Sequence, residues 1–121
     1  MNRVVHFEIP SNKTTEAREF YSSVFGWKFD TFHGEESGYW LCSTGEGQGI
    51  DGALMKKQDP AQPVTIIIQV EDIDAAMKSV EEAGGEIVLA KHKVGEIGYS
   101  GYFKDPDDNI LGVWQSLMAQ Q

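Results

Sequence analysis

The sequence predicts an α+β fold built from two tandem βαβββ modules. Short runs rich in β-branched and aromatic residues alternate with two stretches of helical periodicity. The order of strand, helix, glycine and strand occurs twice along the chain. A shift of 59 residues superposes three pairs of positions: His6 and Thr65, Ala17 and Ala76, and Gly26 and Gly85. One more residue of shift superposes 50–54 on 110–114.

The 121 residues are predicted to form one domain, with the first module at about 3–56 and the second at about 63–116. The stretch Lys57–Pro63 between them is polar and contains two prolines, which is typical of a linker. A module of this size cannot bury both faces of a sheet by itself. We therefore expect the modules to pair, either within one chain or between chains.

The first module begins with a strand at Val4–Ile9, which Pro10 ends because proline cannot donate to a β-ladder. A helix follows, with Thr14 or Thr15 as its N-cap and its end near Val24. Helical spacing predicts one buried stripe of five side chains: Ala17, Phe20, Tyr21, Val24 and Phe25. Gly26 is predicted to close the helix in the left-handed conformation. Three further strands are predicted: Trp27–Phe32, Tyr39–Ser43 and Ile50–Met55.

The second module repeats this pattern from a strand at Val64–Val70. Asp72 or Asp74 can cap a helix that ends near Ala83, before two glycines. The polar stretch Lys91–Gly98 is predicted to be a mobile loop. Three further strands are predicted: Glu86–Ala90, Tyr99–Lys104 and Asn109–Gln115.

The composition excludes several classes of partner. Nineteen acidic residues against ten basic residues give a formal net charge of −9, which repels nucleic acid and anionic bilayers. Cys42 is the only cysteine, so neither an internal disulfide nor a pair of zinc thiolates is expected. No apolar run is long enough for a signal peptide or a transmembrane helix, which predicts a cytoplasmic protein.

Two parts of the sequence resemble a known family. Phe20-Tyr21 followed by Val24-Phe25-Gly26-Trp27 resembles a segment of the glyoxalase/bleomycin-resistance/dioxygenase group, also called the vicinal oxygen chelate superfamily. Ala83-Gly84-Gly85 and the run Tyr102–Asn109 resemble its second module, and the resemblance spans about 4–115. Within the group, the chain is most similar to short members labelled lactoylglutathione lyase-related. The resemblance implies curved half-sheets around a cleft, helices outside them, and a homodimer.

Many members of this group hold a divalent metal, such as zinc, nickel, manganese or iron, with two side chains from each module. The resemblance places the first-strand ligands at His6 and Thr65, and the last-strand glutamates at Gly52 and Gly112. Of these four residues only His6 is a good metal ligand, and one imidazole cannot hold a metal tightly. The sequence thus predicts a weak or substituted metal site at His6, or no metal. Strand alternation indicates that Asp51 points to the face opposite that of Gly52.

His6 and Glu8 lie on one face of the first strand and form the candidate catalytic pair, a general base working with a carboxylate. The alternative is a hydrogen-bonded pair in a polar pocket that does no chemistry. The candidate ligand-binding residues lie on the strands of both modules: Trp40, Gly52, Thr65, Tyr99, Tyr102, Gly112 and Trp114. Core packing is the alternative for the tryptophans, and a surface position without a role is the alternative for the tyrosines.

Two functions follow from these observations. The first is an enzyme, a glyoxalase-type lyase or isomerase that uses His6 and Glu8. The second is a metal-free protein that binds and sequesters an apolar or aromatic small molecule, as resistance proteins of the group do. A partner-binding domain with a vestigial site is a third, less specific alternative.

Overall fold

A computed structural model describes residues 1–118. Within that range the chain forms eight strands, two α-helices and a short 3₁₀ turn at Glu35–Ser37. The elements follow the predicted order: β1 Arg3–Ser11, α1 Thr14–Phe25, β2 Lys28–Thr31, β3 Tyr39–Ser43, β4 Asp51–Lys56, β5 Thr65–Gln69, α2 Ile73–Glu82, β6 Glu86–Val94, β7 Gly98–Lys104 and β8 Ile110–Ser116. The predicted α+β class with two βαβββ modules is confirmed.

The chain divides into two compact units, and each is described by itself. The first unit contains His6–Val64, and the second contains Met1–Val5 together with the described residues from 65 to 118. The boundary therefore falls within β1, so that the first strand contributes residues to both units.

The sheet of the first unit has the strand order β2-β3-β4-β1. β1 and β4 run parallel, whereas β2, β3 and β4 form antiparallel pairs. Helix α1 covers one face of this sheet. Tyr21 stacks on Trp27 with 5.1 Å between ring centroids, and Trp27 lies 5.6 Å from Phe7 of β1. The guanidinium of Arg18 lies 4.1 Å from the ring centroid of buried Trp40.

The predicted buried stripe of α1 is wrong in most of its members. Phe20, Val24 and Phe25 are 56%, 55% and 61% exposed, and no residue of this helix is fully buried. The helix contacts the strands through Arg18 and, by way of Trp27, through Tyr21. Its periodicity identified the helix, but apolar spacing alone did not show which side meets the sheet.

The sequence predicts the C-terminal end of α1 correctly but not its N-terminal end. Gly26 has φ 73° and its N–H donates to the carbonyl of Ser22, which confirms the left-handed C-terminal cap. The predicted threonine N-cap is wrong, because Lys13 occupies that position without a side-chain cap. Thr15 instead accepts a hydrogen bond from the Arg18 guanidinium at 3.2 Å.

The second unit contains the strand order β5-β8-β7-β6, with the start of β1 beside β5. β5 is parallel to β8, and β7 is antiparallel to both β8 and β6. Helix α2 buries Ile73 and Met77 against Val70 and Val113. The N–H of Ile73 also donates to the side-chain oxygen of Gln115 at 2.9 Å, which ties the start of α2 to β8.

The predicted mobile loop at Lys91–Gly98 is largely strand. β6 continues to Val94, and its last residues pair with β7, His92 opposite Ser100 and Lys93 opposite Tyr99. β6 is the last strand in the order, where charged side chains suit an edge that faces solvent. The polar residues of this stretch therefore belong mainly to a solvent-facing edge strand and not to a mobile loop.

Asp72 is expected to stabilise α2 from its N-terminus. Its carboxylate accepts a hydrogen bond from the N–H of Ala75 at 3.1 Å, as the sequence predicted for this cap. We expect Asp72→Ala to lower the free energy of unfolding by about 1 kcal/mol, measured by urea denaturation. Glu81→Ala, on the exposed side of the same helix, is the matched control and is expected to change it by less than about 0.5 kcal/mol. Equal effects of the two substitutions would contradict a capping role.

Candidate functional site

Strand register brings polar side chains together on one face of the first unit. Residues paired across neighbouring strands point to the same face, and the face opposite α1 is called the polar face here. It carries eleven residues of four strands: His6, Glu8, Pro10, Lys28, Asp30, Tyr39, Leu41, Ser43, Asp51, Ala53 and Met55. The other face, which carries Phe7 and Trp40, is covered by α1.

His6 and Asp51 lie opposite each other on β1 and β4. Burial lowers the pKa of the His6 imidazole below its ordinary 6.5, and the nearby Asp51 carboxylate partly offsets this by raising it. Asp51 is held in place by Thr44, whose N–H donates to a carboxylate oxygen of Asp51 at 2.9 Å and whose hydroxyl donates to the carbonyl oxygen of Ile50 at 2.8 Å. His6 is therefore a neutral base at pH 7 beside a fixed negative charge.

Glu8 and Tyr39 form a second pair on the polar face. The Tyr39 hydroxyl donates a hydrogen bond to a carboxylate oxygen of Glu8 at 3.5 Å. Burial raises the pKa of the Tyr39 phenol well above its ordinary 10, and the charge of Glu8 raises it further. Tyr39 is thus a protonated donor at neutral pH.

Tyr39 and Asp51 were missed by the sequence reasoning. Tyr39 follows a turn and showed no motif, and Asp51 was placed away from the ligand position by alternation around Gly52. The register of β4 against β1 and β3 was the missing signal, because it fixes which alternate set of β4 residues shares a face with His6.

Gly52 lies on the face covered by α1, not on the polar face. It is paired with Phe7, and a Cβ atom at position 52 would lie 2.5 Å from both the ring and the carbonyl oxygen of Phe7. The strand pairs Glu8–Ala53 and Ile67–Gly112 keep the 59-residue shift of the repeat. The structural equivalent of Gly112 is therefore Ala53, which corrects the correspondence with Gly52.

The remaining predicted site residues divide between two faces. In the second unit, the register places Thr65, Tyr102, Gly112 and Trp114 on one face of the sheet. Tyr99 lies on the other face, packed against the core beneath α2, with the Lys91 ammonium 4.4 Å from its ring centroid.

The first unit divides its predicted residues in the same way. Trp40 is buried under α1 on the face of Gly52, so neither lies beside the candidate catalytic pair. The structure brings His6 and Glu8 together as predicted and adds Tyr39 and Asp51 to them.

The donor set does not fit a four-ligand metal centre. The hydroxyl of Thr65 donates to the carbonyl oxygen of Ile110, and the space beside Gly112 is filled by the δ-methyl of Ile67 and the ring of Tyr102. Among residues 1–118, no group of three or more histidine, cysteine, aspartate or glutamate side chains is arranged to hold a metal. His6 with Asp51 offers two donors, fewer than a stable site needs.

The His6–Asp51 pair predicts a defined response to pH. Asp51→Asn removes the charge that raises the His6 pKa, so we expect that pKa to fall further, measured by NMR titration of the imidazole. Asparagine keeps a side-chain oxygen that can accept the hydrogen bond from the Thr44 N–H, so the substitution removes the charge alone. The His6 signal is the one that is missing from the spectrum of His6→Gln. An unchanged or raised pKa would contradict the coupling.

The lowered pKa of His6 also determines whether acid stabilises or destabilises the folded chain. The unfolded chain binds the His6 proton more tightly than the folded chain does, so stability falls as the pH drops through 6.5 towards the folded-state value. We expect His6→Gln to lose this part of the acid sensitivity.

The comparisons with known proteins agree with this fold. The sequence profile of the Glyoxalase/Bleomycin resistance protein/Dioxygenase superfamily matches residues 3–113. The chain therefore belongs to this superfamily, and the earlier resemblance is confirmed.

The curated relatives of the chain have low sequence identity to it. The chain is 25% identical to "Putative glyoxylase CFP32" of Mycobacterium tuberculosis, over 90% of this chain and 44% of that protein. It is 24% identical to the anthracycline biosynthesis protein DnrV of Streptomyces peucetius, over 90% of this chain and 45% of that protein. The chain thus spans less than half the length of these curated relatives.

Solved structures show the same fold. A glyoxalase/bleomycin resistance protein/dioxygenase superfamily member from Vibrio splendidus has a TM-score of 0.67 at 21% identity, covering 95% of this chain and 98% of that chain. Methylmalonyl-CoA epimerase from Mycobacterium tuberculosis has a TM-score of 0.66 at 13% identity, covering 93% and 86%. At these identities the likeness concerns the fold alone.

The described residues contain no helix that is both long and apolar enough to cross a membrane.

Proposed function

We propose that the protein binds a small carbonyl compound on the polar face of the first unit and that His6 moves a proton at the carbon beside the carbonyl group. This is a metal-independent reaction of the isomerase or lyase type. The observation that supports it most directly is the pairing of a neutral, partly buried His6 with Asp51. The superfamily assignment and its small-molecule-binding members support the same class of function.

The chemistry follows from the charges of this pair. The imidazole nitrogen accepts the proton, the C–H electron pair forms the C=C bond of an enolate, and the carbonyl π pair moves to oxygen. The Asp51 carboxylate stabilises the imidazolium that forms, as it does by raising the His6 pKa. Return of the proton to the same carbon re-forms the C=O bond and gives exchange of that hydrogen or inversion at that carbon.

Incorporation of deuterium from D₂O tests this proposal without knowledge of the natural substrate. Phenylacetone has acidic protons beside a neutral ketone, and NMR follows their loss directly. We expect wild-type protein to accelerate this exchange above the buffer rate, equally with and without EDTA, and unfolded protein to be inactive. No acceleration at any pH between 6 and 8 would contradict the proposal, and sensitivity to EDTA would contradict the metal-independent step.

Metal-free binding without chemistry is the second candidate. Ala53 on the polar face and Gly112 in the second unit stand at the two structurally equivalent last-strand positions, and neither carries the charged side chain that the resemblance implies there. A protein of this type would bind an aromatic or apolar molecule tightly and leave its protons unexchanged. Binding measured by tryptophan fluorescence, with no deuterium uptake into the bound molecule, favours this function over the first.

A homodimer and a cytoplasmic location are also proposed. The superfamily commonly forms dimers, and the exposed Phe20, Val24 and Phe25 on α1 give the chain an apolar surface that a second copy could cover. Analytical ultracentrifugation of wild-type protein and of Phe25→Ser tests the proposed homodimer.

A further inference from the structure

The turn that precedes Tyr39 fixes its backbone, and Phe32 and Glu8 contact its side chain. The Ser37 hydroxyl donates to the carbonyl of Gly34 at 2.7 Å, and Gly38 adopts the left-handed conformation with φ 70°. The Phe32 ring lies 5.7 Å from the Tyr39 ring, and the Phe32 N–H donates to the Tyr39 carbonyl at 3.0 Å. The hydroxyl therefore occupies a defined place on the polar face before any ligand binds.

The hydrogen bond from Tyr39 to Glu8 is long. Its 3.5 Å is the outer limit for such a contact, whereas an O–H bond to a carboxylate is usually near 2.5–2.7 Å. A ligand oxygen at the usual distance would accept a shorter bond from the same hydroxyl. The Tyr39 O–H can therefore rotate towards a ligand oxygen, with the ring in place, at little cost in its contact with Glu8.

The charges of the polar face select against anions. Register places three carboxylates there, those of Glu8, Asp30 and Asp51, and one ammonium, that of Lys28. His6 is neutral at pH 7, and the whole chain carries a formal charge of −9. A carboxylate, phosphate or acyl-CoA ligand would be repelled by this arrangement, whereas an uncharged carbonyl compound would not.

We infer that Tyr39 is a substrate-binding and catalytic residue whose hydroxyl donates to the carbonyl oxygen of an uncharged ketone or aldehyde. The inference rests on the proposed function and names its class of substrate. When His6 takes the proton, negative charge develops on that oxygen, and the Tyr39 O–H bond stabilises it while keeping its own proton. The proton returns from His6 to carbon, so Tyr39 ends the cycle unchanged.

Binding of two matched probes tests the inference separately from turnover. Phenylacetone and phenylacetate have similar size, and the second is an anion. In protein with ¹³C at the ring carbon that bears the phenol oxygen, we expect phenylacetone to shift the Tyr39 signal, which Tyr39→Phe assigns, and phenylacetate to shift it at least about tenfold less at equal concentration. Tyr21→Phe, which removes a hydroxyl on the α1 side, is the control.

The second test compares ligand binding and the exchange rate in Tyr39→Phe and Tyr21→Phe. Tyr39→Phe is expected to weaken phenylacetone binding about three- to tenfold and to lower the rate constant for deuterium exchange about a hundredfold. Tyr21→Phe is expected to change neither. Absence of a Tyr39 shift with phenylacetone, or equal shifts with both probes, would overturn the inference. Exchange that persists unchanged without His6, alongside a normal Tyr39 shift, would instead overturn the proposed function and leave the Tyr39 contact standing.

Discussion

Replacing Gly52 with glutamate is expected to unfold the protein rather than to create a metal ligand. A Cβ atom at this position meets the ring and the carbonyl oxygen of Phe7 at 2.5 Å, and the backbone oxygen cannot move away as a flexible side chain can. The carboxylate would also be buried without a partner beneath α1. We expect a loss of at least about 4 kcal/mol in the free energy of unfolding, measured by urea denaturation.

The control for this substitution lies on the neighbouring strand. Ser43 is exposed and is the last residue of β3, so Ser43→Glu adds the same side chain without a steric contact of that kind. We expect it to change stability by less than about 0.5 kcal/mol. A Gly52→Glu protein as stable as wild type would show that Phe7 can move away and would contradict this prediction.

The elements of the fold could be predicted because their signals are local. β3 has the predicted bounds Tyr39–Ser43, and Gly26 adopts the left-handed conformation that ends α1. Strand alternation, helical spacing and a glycine at the end of a helix each depend on a few neighbouring residues. The repeat then supplied the topology, since the second module follows the order of the first.

The candidate site could be predicted only in part because its assembly depends on register. Alternation shows that Asp51 and Gly52 point to opposite faces, but not which of them shares a face with His6. That choice depends on how β4 aligns with β1, from which it is separated by the helix and two strands. The same alignment brings Tyr39 to Glu8, which no local pattern signals.

The departures from the family pattern are consistent with one another. Position 53 carries a fully buried alanine, and position 112 carries a glycine beside which the δ-methyl of Ile67 and the ring of Tyr102 fill the space. The ionisable groups that β1, β3 and β4 place on the polar face are a neutral base, two carboxylates and a phenol. Such a set can transfer protons and stabilise an enolate without a Lewis acid, which is why general-base chemistry is the stronger proposal.

His6→Gln is expected to lower the rate of deuterium exchange into phenylacetone by about 10²- to 10⁴-fold, the usual contribution of a general base. Glutamine keeps a hydrogen-bonding side chain of similar reach but has no basic nitrogen. Binding of phenylacetone should change little, because His6 acts on the carbon proton rather than on the ligand oxygen. The rate is measured by NMR in D₂O at pH 7, with substrate at saturating and subsaturating concentrations.

His92→Gln is the matched control for this experiment, because His92 lies exposed on β6 and is expected to leave the rate unchanged. The wild-type rate should rise with pH through the lowered pKa of His6 and then level, since only the neutral imidazole accepts a proton. A shift of that pH step to lower pH in Asp51→Asn would tie the rate to the His6–Asp51 pair. A rate that survives in His6→Gln but disappears in Glu8→Gln would assign the base to Glu8, and the carboxylate would then replace the imidazole as the group that takes the proton.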